Sequence, residues 1–110
     1  MHYYEAKLVK IVDGDTIDVL IDLGFNIFIK KRVRLYKIDA PETRTRDLKE
    51  KKAGLAAKKR LKALLKQNNG KFYLKSHGIG KYGRCLGEIF INNQNINNLL
   101  IEEGLAREYS

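Results

Sequence analysis

Ile11-Val12-Asp13-Gly14-Asp15-Thr16-Ile17 is the turn from which the fold can be read. Asp13-Gly14 between two apolar runs matches the two-residue type I′ hairpin signal. Upstream, Ala6, Leu8, Val9, Ile11 and Val12, interrupted by Lys7 and Lys10, predict a strand over residues 4–12. Downstream, a return strand over residues 15–22 sets Asp15, Ile17, Val19 and Ile21 on one face, and Thr16, Asp18, Leu20 and Asp22 on the other. Leu23-Gly24-Phe25-Asn26 then turns the chain into a long third strand over residues 27–38, rich in β-branched side chains. Three antiparallel strands in succession make a meander.

Beyond the meander the pattern changes twice. Residues 43–52 are charged and lack an apolar period, which predicts a mobile loop. Ala53, Ala57, Leu61, Leu64 and Leu65 then recur on one face of a helix, with Lys58, Lys59, Arg60, Lys62 and Lys66 over the remainder and Asn69-Gly70 as its stop. A short strand over residues 72–75 leads into a glycine-rich basic loop, His77-Gly78-Ile79-Gly80-Lys81-Tyr82-Gly83-Arg84. A fifth strand over residues 86–91 turns at Asn92-Asn93. A short helix over residues 96–103 follows, with Ile96, Leu99, Leu100 and Leu105 inward and Gly104 in the C′ position. The order βββ-α-ββ-α, mainly β with α (α+β), predicts one domain over residues 1–110, built as a five-stranded, partly open barrel of OB type. An open antiparallel sheet crossed by one helix is the alternative.

Composition narrows the function classes. Twenty-two Lys and Arg against thirteen Asp and Glu leave a net charge of +9 on 110 residues, a surplus that favours polyanions. A lone Cys85 excludes an internal disulfide, and with His2 and His77 it shares no metal-ligand spacing. No run approaches the roughly 20 apolar residues of a membrane span. The N-terminus shows no signal peptide, which predicts a cytoplasmic chain unless a cleaved signal preceded it.

Chemistry concentrates around the only proline. In Arg34-Leu35-Tyr36-Lys37-Ile38-Asp39-Ala40-Pro41-Glu42, a guanidinium enters a strand and two carboxylates leave it around a residue with fixed φ. Strand alternation puts Asp15 on the face of Ile17 and Val19, so its carboxylate needs a partner at the rim of the core. Asp13, Asp15, Asp39 and Glu42 together suit a hard cation, calcium or magnesium. Arg34 and Arg84 suit the negative oxygens of a phosphodiester in its transition state, and Lys81 and Tyr82 add a charge and a hydroxyl beside flanking glycines.

Four stretches carry a resemblance. Ile11 to Thr16, Arg34 to Thr43, Lys81-Tyr82-Gly83-Arg84 and Gly104-Leu105-Ala106 are similar, in this order, to the motifs of the staphylococcal nuclease (thermonuclease) family, whose fold is the OB barrel. The resemblance implies a calcium-dependent phosphodiesterase that acts on DNA and RNA and leaves 3′-phosphate ends. It implies Asp15, Asp39 and the backbone carbonyl of Ala40 as calcium ligands, with Asp13 supporting them from behind. Glu42 would hold the attacking water, Arg34 and Arg84 would clamp the phosphate, and Lys81 and Tyr82 would contact phosphate of the bound nucleotide. An unperturbed glutamate, with a pKa near about 4.3, is a weak base at neutral pH, so either Glu42 is raised or the metal activates the water.

The chain also departs from the family's pattern. Ala40 stands where the type member has threonine, Gly80 replaces an acid, and the loop from Ser76 is shorter. The chain ends at Ser110 without the family's further C-terminal helix, where tyrosines beside the nucleotide base lie, and Tyr109 does not clearly replace them. A non-catalytic OB module that binds nucleic acid is the competing expectation, since basic charge and aromatic residues suffice for it. A monomer with no protein partner is expected in either case.

Overall fold

The computed structural model describes residues 2–109, leaving aside the side chain of Tyr82. The meander is present as β1 (Tyr3–Asp13), β2 (Thr16–Asp22) and β3 (Phe28–Leu35), paired antiparallel. A two-residue strand β4 (Ile38–Asp39) precedes helix α1 (Leu48–Lys66). Then come β5 (Lys71–Ile79), β6 (Cys85–Ile91), the short β7 (Gln94–Asn95), helix α2 (Ile96–Glu102) and the short β8 (Arg107–Glu108). β1 also pairs with β5, and β5 with β6. Parallel pairs Val33–Cys85, Arg34–Leu86 and Leu35–Gly87 join β6 back to β3 and close a five-stranded barrel. The predicted OB-type α+β fold is the one observed.

The barrel is filled by the inward residues of the strands. Ile17, Val19, Val33, Leu35 and Ile89 are fully buried, and Leu61 and Leu65 of α1 with Ile96 and Leu100 of α2 complete the same cluster. Truncating any of these to alanine removes packing worth about 2–5 kcal/mol. Among the described residues no helix is long and apolar enough to cross a membrane.

Three boundaries and one helix face differ from the sequence reading. The third strand stops at Leu35 because Lys37 takes a left-handed φ of 61°. That turn resets the alternation, so Ile38 enters the core while Lys37 is exposed. The predicted loop over residues 43–52 shortens, because the Asp47 carboxylate accepts from the backbone N–H groups of Lys49 and Glu50 and starts α1 at Leu48. Ala53 faces solvent and Gly54 takes its place on the buried face of α1. The strand predicted over residues 72–75 extends through His77 to Ile79, leaving a single 3₁₀ turn, Lys81–Gly83, before Arg84. His77 stacks on Tyr36 with ring centroids 3.8 Å apart and its Nε2 lies 2.5 Å from Oε1 of Glu88.

Candidate active site

The turn after β1 fixes the first carboxylate. Asp13 and Thr16 are cross-strand partners, so Gly14 and Asp15 are the turn, and neither has a positive φ. This excludes the predicted type I′ hairpin. Glycine is needed for another reason: a Cβ at Gly14 would lie 2.7 Å from Cβ of Ala57 and 3.0 Å from Cβ of Ala40. The turn is pressed between α1 and the chain after β4, which buries Asp15 to 7% exposure. The Asp15 carboxylate accepts from the Thr16 hydroxyl (2.9 Å) and the Ala40 N–H (2.8 Å).

Arg34 joins that carboxylate to a second one. Its Nη1 lies 3.3 Å from Oδ2 of Asp15 and donates to the Ile38 carbonyl at 2.8 Å, while Nη2 donates to Oδ1 of Asp39 at 3.2 Å. The Lys37 turn is what brings Asp39 back toward Arg34. β8 secures the turn: Asp39 pairs with Arg107, whose Nη2 is 3.3 Å from the other Asp39 oxygen, and the Tyr109 N–H donates to the Lys37 carbonyl. Asp39 is thus held between two guanidinium groups, and the Tyr109 ring lies 5.8 Å from Cζ of Arg34.

Asp13 and Glu42 complete the acidic side. Asp13 accepts a short hydrogen bond from the hydroxyl of Thr43. The Glu42 N–H donates to Glu50 in the first turn of α1 at 3.2 Å. A Cβ on Gly54 would stand 2.6 Å from the Glu42 carbonyl oxygen and 2.7 Å from that of Pro41, so the loop rests directly on the helix backbone. The Glu42 carboxyl holds its proton above the usual carboxylate range, first through desolvation and then through Asp13, Asp15, Asp39 and Glu50. That direction is the one in which a glutamate becomes a better base.

Two clefts are linked by the Arg34–Asp39 ion pair. Asp39, Ala40, Pro41, Glu42 and Glu50 line one of about 490 Å³, with residues 104–107 opposite them. Arg34, Lys81, Arg84 and Tyr109 help to line the other, of about 440 Å³. Asp39, Glu42 and Glu50 thus line one cleft together with Arg107, and Arg34, Lys81 and Arg84 line the other, with Arg34 bonded to Asp39. Arg84 is partly buried and its carbonyl accepts from the Gly80 N–H at 2.7 Å, which closes the basic loop. The predicted contact from Tyr82 lies outside what is described of that residue.

The donor set is all oxygen, which suits calcium or magnesium and not a soft metal. As the side chains stand, however, no three His, Cys, Asp or Glu groups among the described residues could hold a metal ion. Arg34 engages one oxygen of each of Asp15 and Asp39. Sequence reasoning missed Thr16, Thr43, Glu50, Gly54, Arg107 and Tyr109. Thr16 and Thr43 stood inside the motif stretches without a role of their own, and Glu50 had a local signal, since an acid at Asp47 followed three residues later by glutamate marks a helix start.

Comparison with known proteins bears on this geometry. Residues 32–110 match the family model described as "Staphylococcal nuclease homologue". A Haemophilus influenzae protein named "Uncharacterized endonuclease" is 36% identical over 104 residues, covering 94% of this chain and 52% of that protein. Endonuclease YncB of Bacillus subtilis is 35% identical over 111 residues, covering 94% and 49%. The thermonuclease of Staphylococcus intermedius is 35% identical over 104 residues, covering 94% and 59%. The chain spans about half the length of the curated relatives it matches.

Proposed function

We propose, from the premise that this chain belongs to the staphylococcal nuclease homologue family, that it is a calcium-dependent phosphodiesterase which hydrolyses DNA or RNA and leaves 3′-phosphate ends. The observation that carries the reading is Arg34, bonded to Asp15 and Asp39 on one side and lining the Lys81–Arg84 cleft on the other. A protein that only binds nucleic acid has no use for Asp15, Asp39 and Glu42 beside its phosphate contacts, since carboxylates repel phosphate unless a cation intervenes.

In this reading Asp15, Asp39 and the Ala40 carbonyl hold calcium, with Asp13 supporting them. The bound ion supplies positive charge beside a phosphate oxygen and makes water more acidic. Arg34 and Arg84 would clamp the scissile phosphate and stabilise the charge on its oxygens in the transition state, since each guanidinium can span a pair of acceptors. Lys81 and Tyr82 fix the neighbouring phosphate. Glu42 holds the attacking water and accepts its proton, a role its raised proton affinity suits.

The competing reading is a non-catalytic module that binds nucleic acid, for which the net charge of +9 and the aromatic residues would suffice. The two readings separate on one assay. The purified chain is incubated with single-stranded DNA, duplex DNA and RNA in calcium, in magnesium and in EDTA, with Asp15→Asn as control. Cleavage in calcium that ceases in EDTA and in the variant supports the nuclease; retention of substrate without cleavage in every metal supports the module.

A further inference from the structure

The groove between α1 and β1 plays no part in the chemistry above, yet its charge is one-sided. Lys58, Lys62 and Lys66 of α1 face Lys10 of β1 across about 690 Å³, over a floor that includes Val9 and Gly70, and no carboxylate lines it. The three helix lysines recur every fourth residue, so they stack in one row along the helix. Like charges at that spacing repel and weaken a helix. None of the four joins an ion pair among the described residues, although Asp18 acts on Lys10 through space. On another face of the same helix the sequence does provide an acid, since Arg60 binds Glu103 through two bonds of 2.7 and 2.8 Å. What marks the row among the lysines of α1 is that all three line one groove with Lys10.

Its position adds a second fact. Gly54, on which the Pro41 and Glu42 carbonyls rest, lies one turn before Lys58, and Ala57 touches the Gly14 turn. The row starts within one helical turn of the acidic cleft and runs about 12 Å away from it, with one cation every ~6 Å. That interval is of the order of a nucleotide step in an extended strand. We infer that the groove is a second phosphate track: it binds the backbone of a polynucleotide flanking the scissile bond, so that the substrate is a long strand and not a short diester.

This rests on the nuclease reading for its link to turnover, but not for binding, and the experiment keeps the two apart. Binding of a labelled oligothymidylate long enough to span the groove is followed by anisotropy in EDTA across a salt series. The proteins are wild type, Lys58→Gln/Lys62→Gln/Lys66→Gln, and a charge-matched control, Lys30→Gln/Lys31→Gln/Lys75→Gln. Glutamine keeps helix propensity close to that of lysine, and circular dichroism checks the fold. The track predicts that the plot of log Kd against log salt flattens by about 2 in the helix variant, from three lost contacts at about 0.7 each. The control stays near wild type. In calcium, the preference for the long strand over a dinucleotide collapses in the helix variant alone. Equal losses in both variants, or none in the helix variant, overturn the track. Steep salt-dependent binding by a wild type that cleaves nothing leaves the track standing and removes the nuclease.

Discussion

Two polar hubs lie against the core of this barrel, at Asn97 and at Arg34, and they are satisfied on different terms. Asn97 is 1% exposed; its carbonyl oxygen accepts from the Ile89 N–H, and its amide donates to the carbonyls of Tyr36 and Gly87, all at 3.1–3.2 Å. That network is neutral, closed and complete. Arg34 also makes its bonds, but to two carboxylates, and the surrounding acids still act on Glu42. The first hub joins the turn after β3 to β6 and α2 and leaves nothing for a ligand. The second is built from ionised groups that pair beside two open clefts, which is the property a site needs and a core avoids.

The contrast is most sharply tested where the two kinds of loss should separate. Arg84→Ala and Glu42→Gln should fold normally and lose turnover by about 10²-fold or more each, in the range found for removing one transition-state donor or one proton-transfer group. Normal turnover in a folded Arg84→Ala protein would remove Arg84 from the site. Asn97→Ala should do the reverse. Removing the side-chain partner of the Ile89 N–H and of the Tyr36 carbonyl, while the Gly87 carbonyl still accepts from the Tyr36 N–H, should cost about 2–4 kcal/mol in denaturant unfolding, with turnover kept at temperatures where the variant is folded.

Gly54→Ala sharpens the comparison, because it lies outside both hubs and acts through the backbone. In an exposed helix this change would gain up to about 1 kcal/mol. Here the added Cβ meets the carbonyls of Pro41 and Glu42, so overpacking of about 1–3 kcal/mol should win. Displacing that loop should lower turnover more than stability, as a parallel melt and rate measurement would reveal.

The smallest effect is a pH dependence. Glu42 is more than a third exposed and its carboxyl is shifted upward, so the folded chain holds that proton more tightly than the unfolded chain. The resulting stability is complete below the ordinary glutamate value and is lost as pH rises through the raised one. Glu42→Gln should therefore show a flatter stability profile over that window in calcium-free buffer. At neutral pH its gain should stay under about 1 kcal/mol, because water screens the group. A wild-type profile as flat as that of the variant would contradict the upward shift.

How far the sequence could be read differs between the two hubs as well. Asp15 is legible from strand alternation, and Asp39 and Glu42 from their places around Pro41. The order of strands and helices led to the barrel. Asn97 is not legible, because a buried asparagine in a short helix looks like any polar residue until its partners in the turn after β3 and on β6 are in place. The Lys37 turn hides in an otherwise continuous β-branched run, and only the pairing of β4 with β8 reveals why the strand must break there. Gly54 reads as a weak point of a helix, and its purpose lies in the loop packed on it.

A single oligonucleotide titration reaches the centre of this picture. Cleavage of a labelled single strand is measured from EDTA through rising calcium, with melting temperature recorded at each point for wild type and Asp15→Asn. If a cation displaces Arg34 from Asp15 and Asp39, cleavage and melting temperature should rise together over the same calcium range in the wild type, and neither should rise in the variant. Cleavage that persists undiminished in EDTA, or a melting temperature that ignores calcium while substrate stays bound and intact, would contradict it.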